Sequence, residues 1–221
     1  MIRAVSRNPK GLRVLELLMA GGWGMVPIVI CSVLVLSIVV ERFWSLRRAA
    51  VAPHGLGEEV RSMVAARRVE ASHLDALEKT SPLGLLLAGV LRVRHLGRDA
   101  VRERVEDVGR QVMHELNRFL TTLGTLALIS PLLGLLGTVI GLIRMFLAAM
   151  THGVGDAQYM AGGIGEALVC TAAGLCVAVP AYVFHRYFRS RIASYGIAME
   201  REVLALVDTL DQPAAPRGAP R

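Results

Sequence analysis

One carboxylate, Glu166, stands inside a long apolar stretch at residues 161–184 whose other conspicuous polar group is a hydroxyl, Thr171. A charge at the centre of a membrane segment costs roughly 3 kcal/mol on insertion scales, so an ionisable residue there is a functional candidate by default. A second hydroxyl, Thr138, lies in the preceding apolar stretch, and Thr138 and Glu166 are placed symmetrically about His152. On two antiparallel helices rising about 1.5 Å per residue, the two reach the same depth and can face one another, with Thr171 roughly 7 Å deeper. Hydroxyls beside a carboxyl group can donate to the anion, accept from the acid or hold a water, so the group is equipped to exchange a proton.

The residues leave two plainer readings open. Glu166 can be a structural acid, hydrogen-bonded between helices and never titrating. Thr171 lies about 140° around an ideal helix from Glu166, so its hydroxyl can bond its own backbone. Cys170, Ala173 and Val177 fall close to the Glu166 face, which is narrow and small, suited to receiving another helix. No other acid lies within a span, and no Lys or Arg is placed to neutralise Glu166. One carboxylate per chain makes an incomplete proton path, so a partner is implied.

The elements that position these groups follow from hydropathy. Of the 221 residues, 53% are hydrophobic, and three uncharged runs explain the excess, each near the ~20 residues that span a bilayer. The expected fold is all-α: a polytopic membrane protein with three transmembrane helices and long cytoplasmic helical extensions. The net charge of +7 then reports which loops face the cytoplasm. Nucleic-acid binding is disfavoured, because basic residues are interleaved with acids and no aromatic-rich module appears. Cys31, Cys170 and Cys176 are dispersed within the runs and read as small apolar fillers. No cofactor or metal site is expected. HExxH is absent and no serine–histidine pair shares a depth, so the chain is not expected to be an enzyme.

In order, residues 1–21 form a basic arm in which Leu12, Leu15 and Leu18 can begin an interfacial helix. The first span covers 22–40, with Trp23 at one end and Phe43-Trp44 beyond the other, as aromatic belts mark interfaces. Its basic flank resembles a signal peptide's, but the run is too long and lacks a small-x-small cleavage site, so it is expected to be retained. Residues 41–118 form a cytoplasmic helical region. His54-Gly55 and Gly57 break it, Glu58 to Lys79 follows as one or two helices, and Ser81-Pro82 is a helix start. Gly97 ends that helix and Asp99 can cap the next. There Val101, Val105, Val108, Val112 and Leu116 form one apolar stripe, with no evident stop before the second span, so one long helix is expected to enter the membrane.

The second span, 119–143, holds Pro131, whose lost hydrogen bond neighbouring groups can replace, and Gly134, Gly137 and Gly141, a small-residue face for close helix packing. A short periplasmic loop, 144–160, joins it to the third span, 161–184. A separate amphipathic helix at 185–211 carries Ile192, Tyr195, Met199, Val203, Leu206 and Leu210, and 212–221 is a disordered tail. Residues 145–160 contain no Lys or Arg, so this loop should face outward, placing the N-terminus in the periplasm and the C-terminus in the cytoplasm.

Three stretches together resemble the MotA/TolQ/ExbB proton-channel family, and ExbB- and TolQ-type proteins most: Gly22-Trp23 through Glu41-Arg42-Phe43-Trp44 to Arg48; Ser130-Pro131 through Gly134, Gly137-Thr138 and Gly141; and Gly165-Glu166-Ala167-Leu168 through Thr171 to Leu175. The Ser81-Pro82-Leu83 start is also similar, and the likeness runs from about residue 15 to 190. Cys170 stands where the family commonly has a small apolar residue.

The resemblance implies a homopentameric ring in the bacterial inner membrane. The ring encloses single-span helices of an ExbD- or TolR-type partner bearing a membrane aspartate. Proton flow there drives the partner's periplasmic domain and energises the outer membrane through TonB- or TolA-type proteins. By motif match Glu166, Thr138 and Thr171 are the polar pathway residues. The expected function is thus a proton-conducting motor subunit. The rival is a non-conducting membrane scaffold with a buried structural acid.

Overall fold

The computed structural model describes residues 21–66, 68–152 and 157–211. The basic arm with Leu12, Leu15 and Leu18 and the tail at 212–221 lie outside the described residues. What is described is helical: α1 (Met25–Ser45), α2 (Arg48–Val51), α3 (Leu56–Ala65), α4 (Ala71–Thr80), α5 (Pro82–Val93), a 3₁₀ turn (Arg94–Leu96), α6 (Arg98–Asn117), α7 (Leu120–His152) and α8 (Ala157–Asp211). Three stretches are long and apolar enough to cross a membrane: Met25–Ser45, Arg98–Met150 and Ala161–Leu210, the second interrupted at Arg118-Phe119.

The chain divides into two units, one of residues up to Val40 with Phe119–Arg186, the other of Glu41–Arg118 with the segment from Tyr187 onward. The first holds the apolar spans. Within a single chain only 28%, 33% and 28% of the three apolar windows are buried. Leu128, Leu132, Leu136, Val139 and Phe146 of α7 all stand exposed. In water that much apolar surface would be a large penalty, so lipid or other chains must cover it.

The second unit is an aqueous-type helical core. Ser81 accepts from the Gly84 amide at 3.1 Å, with Pro82 as the first helical residue, so α5 starts as the serine–proline pair predicts. Leu83, Leu86, Leu87, Ala88, Val90 and Leu91 of α5 are buried against α4 and α6. The stripe on α6 holds, with Val101, Val108, Val112 and Leu116 buried. On the C-terminal segment Phe188, Ile192, Tyr195, Met199, Val203 and Leu206 are buried at helical spacing. Tyr195 donates from Oη to the Leu46 carbonyl at 2.8 Å, and Arg191 donates to the hydroxyls of Tyr195 and Tyr187. Both phenol oxygens hold the Arg191 guanidinium more firmly protonated than usual.

Five sequence expectations are corrected here. First, α6 does not run on into the membrane: Arg118 is extended (φ −48°, ψ 142°) and Phe119 takes φ +63°. The break is held by tertiary structure, since buried Arg42 donates from Nη1 to the Leu116 carbonyl at 3.1 Å, one of those a helix end leaves unpaired. Second, no break separates 161–184 from a further helix at 185–211, because α8 is one helix of 55 residues. Third, most of the 144–160 loop is helix, α7 reaching His152 and α8 beginning at Ala157. Fourth, Gly57 lies inside α3. It permits close approach rather than breaking the chain, for a Cβ there would collide with Glu202, which pairs with Arg61 at 2.7 Å. Fifth, Gly97 (φ +98°) rather than Asp99 precedes α6, and Asp99 sits in its first turn.

Candidate functional site

The spans meet at an interface built from residues too small to keep backbones apart. Along α7, Gly134, Gly137 and Gly141 are buried against α8. A Cβ at Gly137 would lie 2.5 Å from Cys170 Cβ. From α8, a Cβ at Gly174 would lie 2.6 Å from the Ser130 carbonyl oxygen. Such contacts leave no room for a methyl group, and they let dispersion and interbackbone contact hold helices that lipid gives no reason to associate. Pro131 is accommodated inside α7, where the buried Ser130 hydroxyl donates to the Leu126 carbonyl at 2.7 Å.

The start of α1 closes the third side. Met25 and Ile28 pack with Cys170, flanked by Leu133, Val169, Ala173 and Val177. The Cys170 thiol donates to the Gly21 carbonyl at 3.0 Å. Cys170 is therefore the point at which all three spans converge.

The contacts fix the register. Gly137 meets Cys170 and Gly141 meets Ala167. Thr138 thus lies level with Val169 and Cys170, about one turn, or roughly 6 Å, from the level of Glu166. The two are not directly opposed. α7 runs to His152 and α8 begins at Ala157, so the pairing is not symmetric about His152, and every partner moves by a few residues. Thr138 donates to the Leu135 carbonyl of its own helix at 2.6 Å. Thr171 does the opposite of what its isolated helix geometry allowed: its hydroxyl crosses to α7 and donates to the Gly134 carbonyl at 3.2 Å.

Glu166 is about one-fifth exposed, and its Oε1 accepts from Arg144 Nη1 at 2.8 Å. The expectation that no Lys or Arg could neutralise it fails. Arg144 directly follows the predicted second span, 119–143. With α7 continuing to His152, Arg144 sits in mid-helix and reaches Glu166 across the crossing. Gly22 (φ +58°) completes the arrangement, since a Cβ there would collide with Glu166 Oε1 and stand 3.4 Å from Arg144 Nη1. Glycine suits both that backbone angle and that approach. Sequence reasoning missed Arg144, Gly22 and the role of Cys170. The one available signal was a basic residue near the loop end of a span facing an acid near the loop end of the next.

The sequence profile of the MotA/TolQ/ExbB proton channel family matches residues 58–201, which takes in both hydroxyls, the glycine face and Glu166. An ExbB-like 1 protein of Synechocystis sp. is 33% identical over 177 residues, covering 79% of this chain and 70% of the relative. The biopolymer transport protein exbB1 of Vibrio cholerae is 35% identical over 161 residues, 70% of each chain. The Tol-Pal system protein TolQ of Haemophilus influenzae is 28% identical over 158 residues, 69% of this chain and 64% of the relative.

Proposed function

This chain belongs to the MotA/TolQ/ExbB proton channel family, and on that premise we propose that it is the ring-forming, proton-conducting subunit of an inner-membrane energy-transducing complex. The observation that carries the reading is Glu166 itself, the acid of the spans, held at the three-helix crossing and four-fifths buried. A carboxylate is retained at such a cost where it moves protons or ions. Thr171, bridging α8 to α7, and Thr138, one turn from Glu166, are the polar groups that continue the path. Proton uptake and release at Glu166 works on a single-span ExbD- or TolR-type partner with a membrane aspartate, and through it on a TonB- or TolA-type protein. The exposed apolar faces of α7 and α8 are covered by other copies in a homopentamer and by the bilayer. The N-terminus lies in the periplasm and the C-terminus in the cytoplasm. The chain does no covalent chemistry.

The test is Glu166→Gln in the native membrane. The ring is expected to assemble normally while coupled transport is abolished. Full transport in that variant ends the proposal.

One observation favours the scaffold reading. An acid paired with Arg144 at 2.8 Å is what a purely structural carboxylate would look like. The readings separate cleanly: a structural pair loses stability in Glu166→Gln and leaves function pH-independent, whereas a carrier loses transport with the fold intact.

A further inference from the structure

Three separate segments converge on the Glu166 carboxylate: α8 carries it, α7 supplies Arg144, and the turn before α1 supplies Gly22. We propose that Arg144 is a latch, a positioning residue that holds Glu166 ionised against the Gly22 turn and must let go before the carboxylate can take a proton. This rests on the reading of Glu166 as the proton carrier and adds what controls its loading.

The geometry carries the inference in three steps. The pair is short, 2.8 Å, and unequally placed, with the Glu166 side chain 21% exposed and the Arg144 side chain 50% exposed. The carboxylate is the sequestered member, and the guanidinium is the more exposed one. Next, the site is shaped around the paired position. Gly22 has the left-handed φ of +58°, and any Cβ there would occupy the space of Glu166 Oε1. The chain gives up a side chain in a left-handed, glycine-favouring turn at the point where the carboxylate rests.

Finally, the charge environment is simple. Among the described residues, the groups that face Glu166 are Arg144 from α7 and the Cys170 thiol one turn along α8; the segment from Gly21 to Gly24 brings no charge. A proton arriving at Glu166 therefore competes with one cation. An opposite charge within hydrogen-bond reach favours the ionised form of a carboxyl group over the protonated one.

Carbodiimides add to protonated carboxyl groups, so the labelling rate of Glu166 by dicyclohexylcarbodiimide reads the latch directly. The purified full-length chain is reconstituted in lipid vesicles and labelled at neutral pH. The adduct on the Glu166 peptide is followed by mass spectrometry, with Glu166→Gln as the unlabelled control. Arg144→Gln is expected to label several-fold faster than the parent, and Arg144→Lys at close to the parent rate. Equal rates in the parent and Arg144→Gln overturn the proposal. If Arg144→Gln does not assemble, Gly22→Ala decides, since its Cβ displaces the carboxylate from the latch; an unchanged labelling rate there also overturns it. Full coupled transport in Glu166→Gln would remove the carrier role and leave the labelling difference standing, so the two failures are distinguishable.

Discussion

Replacing Gly137 by alanine puts a single methyl group where α7 and α8 touch. The new Cβ would stand 2.5 Å from Cys170 Cβ and 2.9 Å from its Sγ. Carbon–carbon contacts settle near 3.5–4.0 Å, so the helices must separate by about 1 Å or the crossing must rotate. Overpacking of this kind costs about 1–3 kcal/mol. Alanine's better helix propensity returns up to about 1 kcal/mol. The expected net loss is about 1–2 kcal/mol, a fall of several degrees in the thermal midpoint at about 2–4 °C per kcal/mol for a chain of this size.

Gly165→Ala is the internal control, because no atom lies within 4 Å of its added Cβ, and it should match or slightly exceed the parent. Cys170→Ala keeps the offending Cβ and should not rescue Gly137→Ala. Cys170→Gly removes it, and the double variant should recover part of the loss, a coupling beyond additivity. The assay is the thermal midpoint of the detergent-solubilised complex by size-exclusion chromatography, with ring recovery as a second readout. Gly137→Ala behaving like Gly165→Ala would refute the packing argument, as would a rescue by Cys170→Ala equal to that by Cys170→Gly. Gly137→Leu, a far larger intrusion, should prevent assembly altogether.

Arg42→Met should destabilise the second unit by about 1–3 kcal/mol, the cost of leaving a buried carbonyl without its partner, and increase amide exchange around residues 116–120, since it frees the Leu116 carbonyl. Ser81→Ala should cost about 1 kcal/mol, seen as faster exchange of the Gly84 amide that Ser81 now caps. Thr171→Val should cost about 0.6 kcal/mol of stability, the average for an interhelical hydrogen bond in a membrane. If Thr171 also lies on the proton path, coupled transport should fall much further than that stability change explains. Transport that falls only in step with stability would leave Thr171 a packing residue.

What was legible in the sequence was whatever depends on composition or on one helix at a time. The three spans follow from length and hydropathy, the α5 start from a serine and a proline, and the α6 core face from valines at helical steps. What was illegible depends on how two helices meet. The Arg118-Phe119 break carries no glycine or proline; its φ of +63° falls on a phenylalanine, and its freed carbonyl is answered by Arg42, 74 residues earlier in the chain. No local pattern encodes a bond of that reach. The α7–α8 register is set by which glycine finds which neighbour, and symmetry about His152 was an assumption about the turn alone. A shift of about one helical turn in that register takes Thr138 from beside Glu166 to beside Val169 and Cys170.

The Arg144 error has the same origin and a sharper consequence. A basic residue after an apolar run ordinarily marks the end of the membrane, because a charge seeks water. That inference holds for a helix considered alone. It fails where a neighbouring helix offers a carboxylate, because the pair then lowers the cost of burial for both. For a charge buried in the spans, the guanidinium on the adjoining helix is the compensating group. Hydropathy places the spans, and the charges within reach of one another decide where their working ends lie.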